Sequence, residues 1–285
     1  MNFGNIILNS FKFPFKDLKH LGFVYLLFLL LLILPAGVYI GNSIAMLIGV
    51  VGSLIFILIA PGYGILVIKS GINQSSEVPS IKIGRSIINT LKLLILHICY
   101  IAIPSTIAFL LVLFATNLLN YPFAIFESTL NLNLNFTLDL VSGFFNAIGI
   151  IIIVTLIVRL IFSLLSYIAK ARLSKTNSLI EALKIHRVVL DIKKIGFLKF
   201  IGWCIVMGIL LLIFAIIAFF ILFIHYIGLI VYLCVMLPII YVIYNHSLGL
   251  LYSDLSDDEN SEDMDLDNFE REIEYLKYGL PYREN

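Results

Sequence analysis

In 285 residues the chain carries 61% hydrophobic and only 13% charged side chains, with a mean hydropathy of +1.05 and a formal net charge of +1. Soluble domains carry about 25% charged residues, so water is excluded as the main solvent. Bilayer hydrocarbon offers the backbone no hydrogen bonds, which leaves helices and closed barrels as the only spanning structures. The apolar runs here are continuous. Gly149 to Val158 reads G-I-I-I-I-V-T-L-I-V, without the alternation of a barrel strand. The expected class is therefore all-α, a polytopic membrane protein of about six transmembrane helices with cytoplasmic amphipathic helices.

In chain order, residues 1–20 form an N-terminal segment in which Phe3, Ile7 and Phe11 recur at helical spacing until Pro14 ends the run. An interfacial anchor is expected there. Lys12, Lys16 and Lys19 precede a first apolar run with no small-residue cleavage site, so that run is expected to stay in the membrane. Spans are expected at residues 21–40, 44–68, 91–118, 143–166, 196–223 and 227–252. Lysine and arginine are retained on the cytoplasmic side. Of the 19 cations, all but Arg159 fall in the N-terminal segment, the connections after spans two and four, or the tail. The three opposite connections hold none, and a cell-membrane protein with both termini cytoplasmic follows.

Both long basic connections are expected to contain a helix. In the second, Ser178 and Glu181 have capping-box spacing, and Leu179, Leu183, Ile185, Val188, Val189 and Ile192 lie among Lys184, Arg187, Lys193 and Lys194. Such an amphipathic stretch either lies on anionic lipid headgroups or packs against the bundle. Spans two and three with their connection share a plan with spans four and five, which suggests a parallel internal repeat. After the six-helix domain, residues 21–252, the tail 253–285 turns acidic. It holds twelve of the 18 carboxylates against three cations, and a short terminal helix around Phe269, Ile273, Leu276 and Leu280 is expected. This tail is a candidate surface for a protein partner. No nucleic-acid partner is expected, and the sequence sets no oligomeric state.

No H-E-x-x-H, G-x-S-x-G, phosphate-loop or dinucleotide motif occurs, so no enzyme, cofactor or metal site is expected. The five histidines are scattered and read as polar edge residues. Cys99, Cys204 and Cys234 lie in apolar runs and read as small core residues. Arg159 lies inside a span. If that span ends near Lys170, Arg159 is close to mid-bilayer and functional; if it ends near Leu160, the guanidinium reaches the headgroups. His97 could share its level. Pro35, Pro61, Pro104 and Pro238 interrupt apolar helices, and Pro61, Gly62 and Tyr63, followed by Gly64, form the most disruptive cluster. It is either a site of exposed carbonyls or a kink. Ala45, Gly49 and Ser53 make a small-residue packing face. Asn135-Phe136-Thr137 is a glycosylation sequon on the outward side.

The run Phe11-Lys12-Phe13-Pro14-Phe15-Lys16-Asp17, then Gly62-Tyr63, Glu77-Val78-Pro79, and Tyr100 with Pro104, resembles a family of archaeal membrane proteins catalogued as domain of unknown function 4013. Ala169-Lys170-Ala171-Arg172 with Glu181-Ala182 and Ile195-Gly196 is similar to its second half. The resemblance implies a cell-membrane location and an archaeal source, and no substrate. From the residues, two functions are expected: a non-enzymatic membrane scaffold or regulatory protein, or a transporter or channel for a small solute or ion.

Overall fold

The computed structural model describes residues 3–131, 134–253 and 255. Among them every regular element is helical, and six helices are long and apolar enough to cross a membrane. An amphipathic helix, α1 (Phe3–Lys16), precedes α2 (Leu18–Ile40) and α3 (Ser43–Ile72). A loop over 73–82 leads to α4 (Ile83–Ala115), and α5 (Tyr121–Leu130) precedes α6 (Leu134–Thr176). Two short helices follow, α7 (Leu179–Leu183) and α8 (Ile185–Ile195), then α9 (Phe197–Leu222) and α10, residues 225–253. The chain is an integral, multi-pass membrane protein.

Short polar side chains set the starts. Asp17 accepts from the His20 amide ahead of α2, Asn42 from those of Ile44 and Ala45 ahead of α3, and Ser178 from that of Glu181 ahead of α7. The Ser178 cap stands where its spacing predicts it. Gly41 (φ +67°) and Gly196 (φ +94°) take up backbone that a side chain would strain, at the α2–α3 and α8–α9 corners.

Prolines are handled in two ways. Pro104 and Pro238 each follow a π-turn, Ile98–Ala102 in α4 and Tyr232–Met236 in α10. The residue before each proline bonds five residues back, Ile103 to the Ile98 carbonyl and Leu237 to that of Tyr232. A proline ring collides with the carbonyl four residues earlier, and the wider turn makes room for it. Pro61 has no such turn, yet α3 continues through it. Pro14 likewise lies inside α1 instead of ending it, and α1 stops two residues later at Lys16.

The spans differ from expectation at their ends. α4 starts at Ile83 because the basic amphipathic stretch after span two is continuous with span three; the connection itself, 73–82, is a loop without a helix, rich in serine and with Gln74 at φ +51°. The second connection holds two helices, so the connections of the suggested repeat differ. α6 runs ten residues past the expected end. Its exposed apolar side chains stop at Ile161, and beyond them Ile168, Ala169, Ala171 and Leu173 are covered by protein instead of lipid.

That covering defines the basic end of the bundle, where α1, the 73–82 loop, α7, α8 and the end of α10 meet. Its core joins Ile68, Tyr100, Leu173, Val188, Trp203 and Leu251. α1 contributes Ile6 and Phe13, whose ring stacks 3.6 Å from that of His246. His246 is thus buried at 3% exposure and is no edge residue. Toward the opposite end the helices show apolar residues outward, including Leu47, Leu54, Ile153 and Leu212. There α2 and α3 approach through Gly37 and Gly49. A Cβ on Gly49 would stand 2.4 Å from the Leu34 Cα, and one on Gly37 within 2.7 Å of Ala45, as the small-residue face predicts. The acidic tail with its expected terminal helix, and the Asn135 side chain, lie outside what the structure describes.

Gly62 sets the tightest approach of α3 to α4, where a Cβ would fall 1.8 Å from the Ser86 carbonyl oxygen. Gly62→Ala should therefore lower the Tm in detergent through a loss of about 1–3 kcal/mol or more. Gly208→Ala, whose methyl meets nothing within 4 Å, should leave it unchanged or raise it.

Candidate functional site

The basic end is organised by one buried ion pair. Arg172 of α6 and Asp191 of α8 are 7% and 4% exposed, and Nη1 donates to both carboxylate oxygens at 3.0 and 2.8 Å. The Tyr252 hydroxyl of α10 donates to the same carboxylate at 2.7 Å. Arg172 Nε donates to the Glu181 carbonyl at 3.2 Å, and Nη2 stands 3.5 Å from the Glu181 carboxylate. From α4, the Tyr100 hydroxyl donates to the Ala182 carbonyl at 3.0 Å, and Ser174 of α6 donates to Ile65 of α3 at 2.8 Å. Five helices besides α7 are thereby pinned to one level.

At the edge of this network Glu181 receives Lys184 and Arg187, both at 2.6 Å. The Lys184 hydrogen bond, aided by the Arg187 and Arg172 charges, holds the Glu181 carboxyl below the usual carboxylate range despite the opposing effect of burial. Two of the four basic residues expected to face lipid thus already have a carboxylate partner within the protein. Lys193 and Lys194 stand exposed on the outer face of α8, while Val188, Asp191, Ile192 and Ile195 turn inward. The amphipathic stretch packs against the bundle by one face and leaves the other open.

A second feature is the opening of α3 at Pro61. The Gly62 amide donates out of its own helix to Thr90 Oγ1 of α4 at 2.9 Å, and the Ala60 carbonyl accepts the Tyr241 hydroxyl of α10. Two side chains from other helices thus bond backbone groups on either side of Pro61. Tyr63 is fully buried, and its hydroxyl has no hydrogen-bond partner among the described residues. Beside the opening is a cavity of about 530 Å3, bounded by Phe28, Pro61, Lys170, Tyr241, Tyr244 and Asn245. The Lys170 ammonium lies 5.5 Å from the centre of the Tyr167 ring and has no carboxylate in ion-pair range among the described residues.

His97 and Arg159 lie on the exposed faces of α4 and α6. Arg159 falls in the last exposed apolar turn of α6 before Ile161. Cys99, Cys204 and Cys234 are half-buried free thiols. Among the described residues no group of three or more His, Cys, Asp or Glu is placed to hold a metal ion.

Residues 45–224 match the family described as Protein of unknown function (DUF4013). The chain belongs to this family. No curated protein and no solved structure matches it. The matched segment of this DUF4013 protein runs from α3 through α9, and so contains the Pro61 opening, Lys170 and the Arg172–Asp191 pair. Tyr252 and the rest of α10 lie outside it.

Sequence reasoning missed Asp191 and Tyr252. The available signal was positional: Asp191 is a carboxylate on the apolar stripe Val188–Ile192–Ile195, where a charge needs a buried partner.

Arg172→Met leaves a buried, unpaired carboxylate and should cost about 3–5 kcal/mol in chemical denaturation, much of it recovered when Asp191→Leu is added. For Glu181, a depressed folded pKa means stability that is full above the ordinary carboxyl value and lost as pH falls through the folded one. The Tm gap between the native protein and Glu181→Gln should therefore be open above the ordinary carboxyl range and narrow as the pH is lowered through and below it.

Proposed function

We propose that this DUF4013 protein is a non-enzymatic scaffold or regulatory protein of the cell membrane, with both termini and the whole basic end on the cytoplasmic face. The cation asymmetry supports the orientation. One observation carries the functional reading, the outer face of α8. Leu190, 51% exposed, is flanked one turn away on each side by His186, Arg187, Lys193 and Lys194, and Ile180, Phe197 and Leu198 are exposed beside it. Apolar side chains ringed by cations suit the boundary between acyl chains and anionic headgroups. The inner face is fixed by Arg172 and Asp191, so α8 presents a rigid platform. The acidic tail, 253–285, supplies a second surface, suited to a basic protein partner.

A transporter or channel for a small solute or ion is the second reading. The cavity at the opened Pro61 turn, with an uncompensated Lys170 at its wall, supports it.

In nanodiscs, exchanging neutral for anionic lipid should raise the Tm, and Lys193→Gln with Lys194→Gln should reduce that rise measurably, each lysine being worth about 1 kcal/mol near such a surface. Vesicles carrying the native protein should show no solute or ion flux. An unchanged rise in the double variant overturns the platform, and a flux abolished by Lys170→Gln replaces it with the transporter.

A further inference from the structure

At the junction of α2, α3 and α4 two cavities of opposite character adjoin. The first, about 350 Å3, is a polar bowl formed where the 73–82 loop folds back over the end of α3, held by the Ser70 hydroxyl donating to the Glu77 carbonyl at 3.1 Å. Lys69, Lys82 and Arg85 converge on it from three segments, against the single carboxylate of Glu77. None of the three cations has a carboxylate in ion-pair range among the described residues. The second, about 490 Å3, is an apolar groove along α2 and α3, lined by Phe23, Leu26, Leu30, Ile55, Ile59 and Ile81. His20 and Ser80 border both, so the bowl and the groove adjoin at these two residues. His20 is fixed there by its ring's hydrogen bond to Asp17.

We infer that this junction is a binding site for one anionic membrane phospholipid, its phosphate in the bowl and an acyl chain along the groove. Charge complementarity selects the headgroup, since three cations facing one carboxylate favour a phosphate over a zwitterion. The adjoining volumes fall in the range of ligand sites, about 300–1,000 Å3, and a water-soluble phosphate compound would leave the groove empty. The groove starts at the first turn of α2 and follows that helix inward from its charged end, the direction an acyl chain takes from its headgroup. Phe23 and Leu26 are 48% and 60% exposed, so the chain can enter sideways from the bilayer. The site lies on different helices from the α8 platform and rests on the same placement of the basic end at the headgroups.

The test uses the full chain in mixed-lipid nanodiscs with Phe23→Trp as reporter, the native Trp203 being buried and out of reach of lipid. Only one lipid species is brominated on its acyl chains in each sample. Brominated phosphatidylglycerol should quench the introduced tryptophan several-fold more than brominated phosphatidylcholine at equal mole fraction. Lys69→Gln, Lys82→Gln and Arg85→Gln together should make the two equal, whereas Lys193→Gln with Lys194→Gln should leave the preference intact. Leu26→Trp serves in the same way where Phe23→Trp fails to fold. Equal quenching by both lipids in the otherwise native chain, or a preference that survives the triple variant, overturns the site. A preference abolished by excess glycerol phosphate assigns the bowl to a soluble phosphate and overturns the lipid. Loss of the preference in the α8 variant as well would remove the site's independence from the platform.

Discussion

Removing a guanidinium and a carboxylate from water costs several kcal/mol for each ion, offset only when they meet in good geometry with their remaining atoms satisfied. Arg172 and Asp191 meet that condition through the bidentate contact, the Tyr252 hydroxyl and the Glu181 carbonyl. The pair sits 19 residues apart in sequence, so forming it obliges the chain to turn back after Thr176 and lay α8 against α6. Gly196 then redirects the backbone into α9. Phe200 and Trp203 of α9 enter the same core, and Trp203 Nε1 donates to Ser247 of α10 at 3.3 Å. The order of the last three helices thus follows from where one carboxylate must go.

The prolines show the complementary constraint. Each removes a backbone donor where no water can substitute. At Pro104 and Pro238 the helix solves this within itself by a π-turn; at Pro61 the added bonds are tertiary, Thr90 of α4 accepting from the Gly62 amide and Tyr241 of α10 donating to the Ala60 carbonyl. Tertiary repair requires close approach. Gly62 admits the Ser86 carbonyl and Gly64 the Tyr241 hydroxyl. The Pro61 turn therefore ties three helices together, and Tyr241 also bounds the cavity beside it.

Much of this was legible in the sequence because lipid is a demanding solvent. A helix facing hydrocarbon must be apolar for about twenty residues, so six runs stood out, and the small residues at Ala45 and Gly49 correctly marked a close helix pair. Legibility failed where protein took the place of lipid. Past Ile161, α6 is surrounded by other helices, and Ser166, Arg172 and Ser174 are buried in it, so hydropathy ended the span too soon. The 73–82 loop misled in the opposite way. Of the cations that suggested an amphipathic helix only Lys82 lies in it, Lys69 belonging to α3 and Arg85 and Lys92 to α4. Asp191 stayed hidden because its partner is in another helix, and no local spacing announces a contact across 19 residues.

The two ends of the bundle are held by different means, and this bears on how the protein could respond to its membrane. The apolar exposed half is held by close helix packing such as that at Gly37 and Gly49, whereas the basic half carries a larger core and an ion network. Local stability in such a structure is uneven. On the proposed placement at the headgroups, Arg187 is the link between network and surface: it is 46% exposed at its side chain while bonded to Glu181, which also receives Lys184 and Arg172. An anionic headgroup drawing Arg187 outward would leave Glu181 with less compensating charge and strengthen its demand on Arg172. Arg172 in turn holds Asp191, so on that placement a change in surface charge would reach the centre of the fold through two carboxylates and the movement of one side chain.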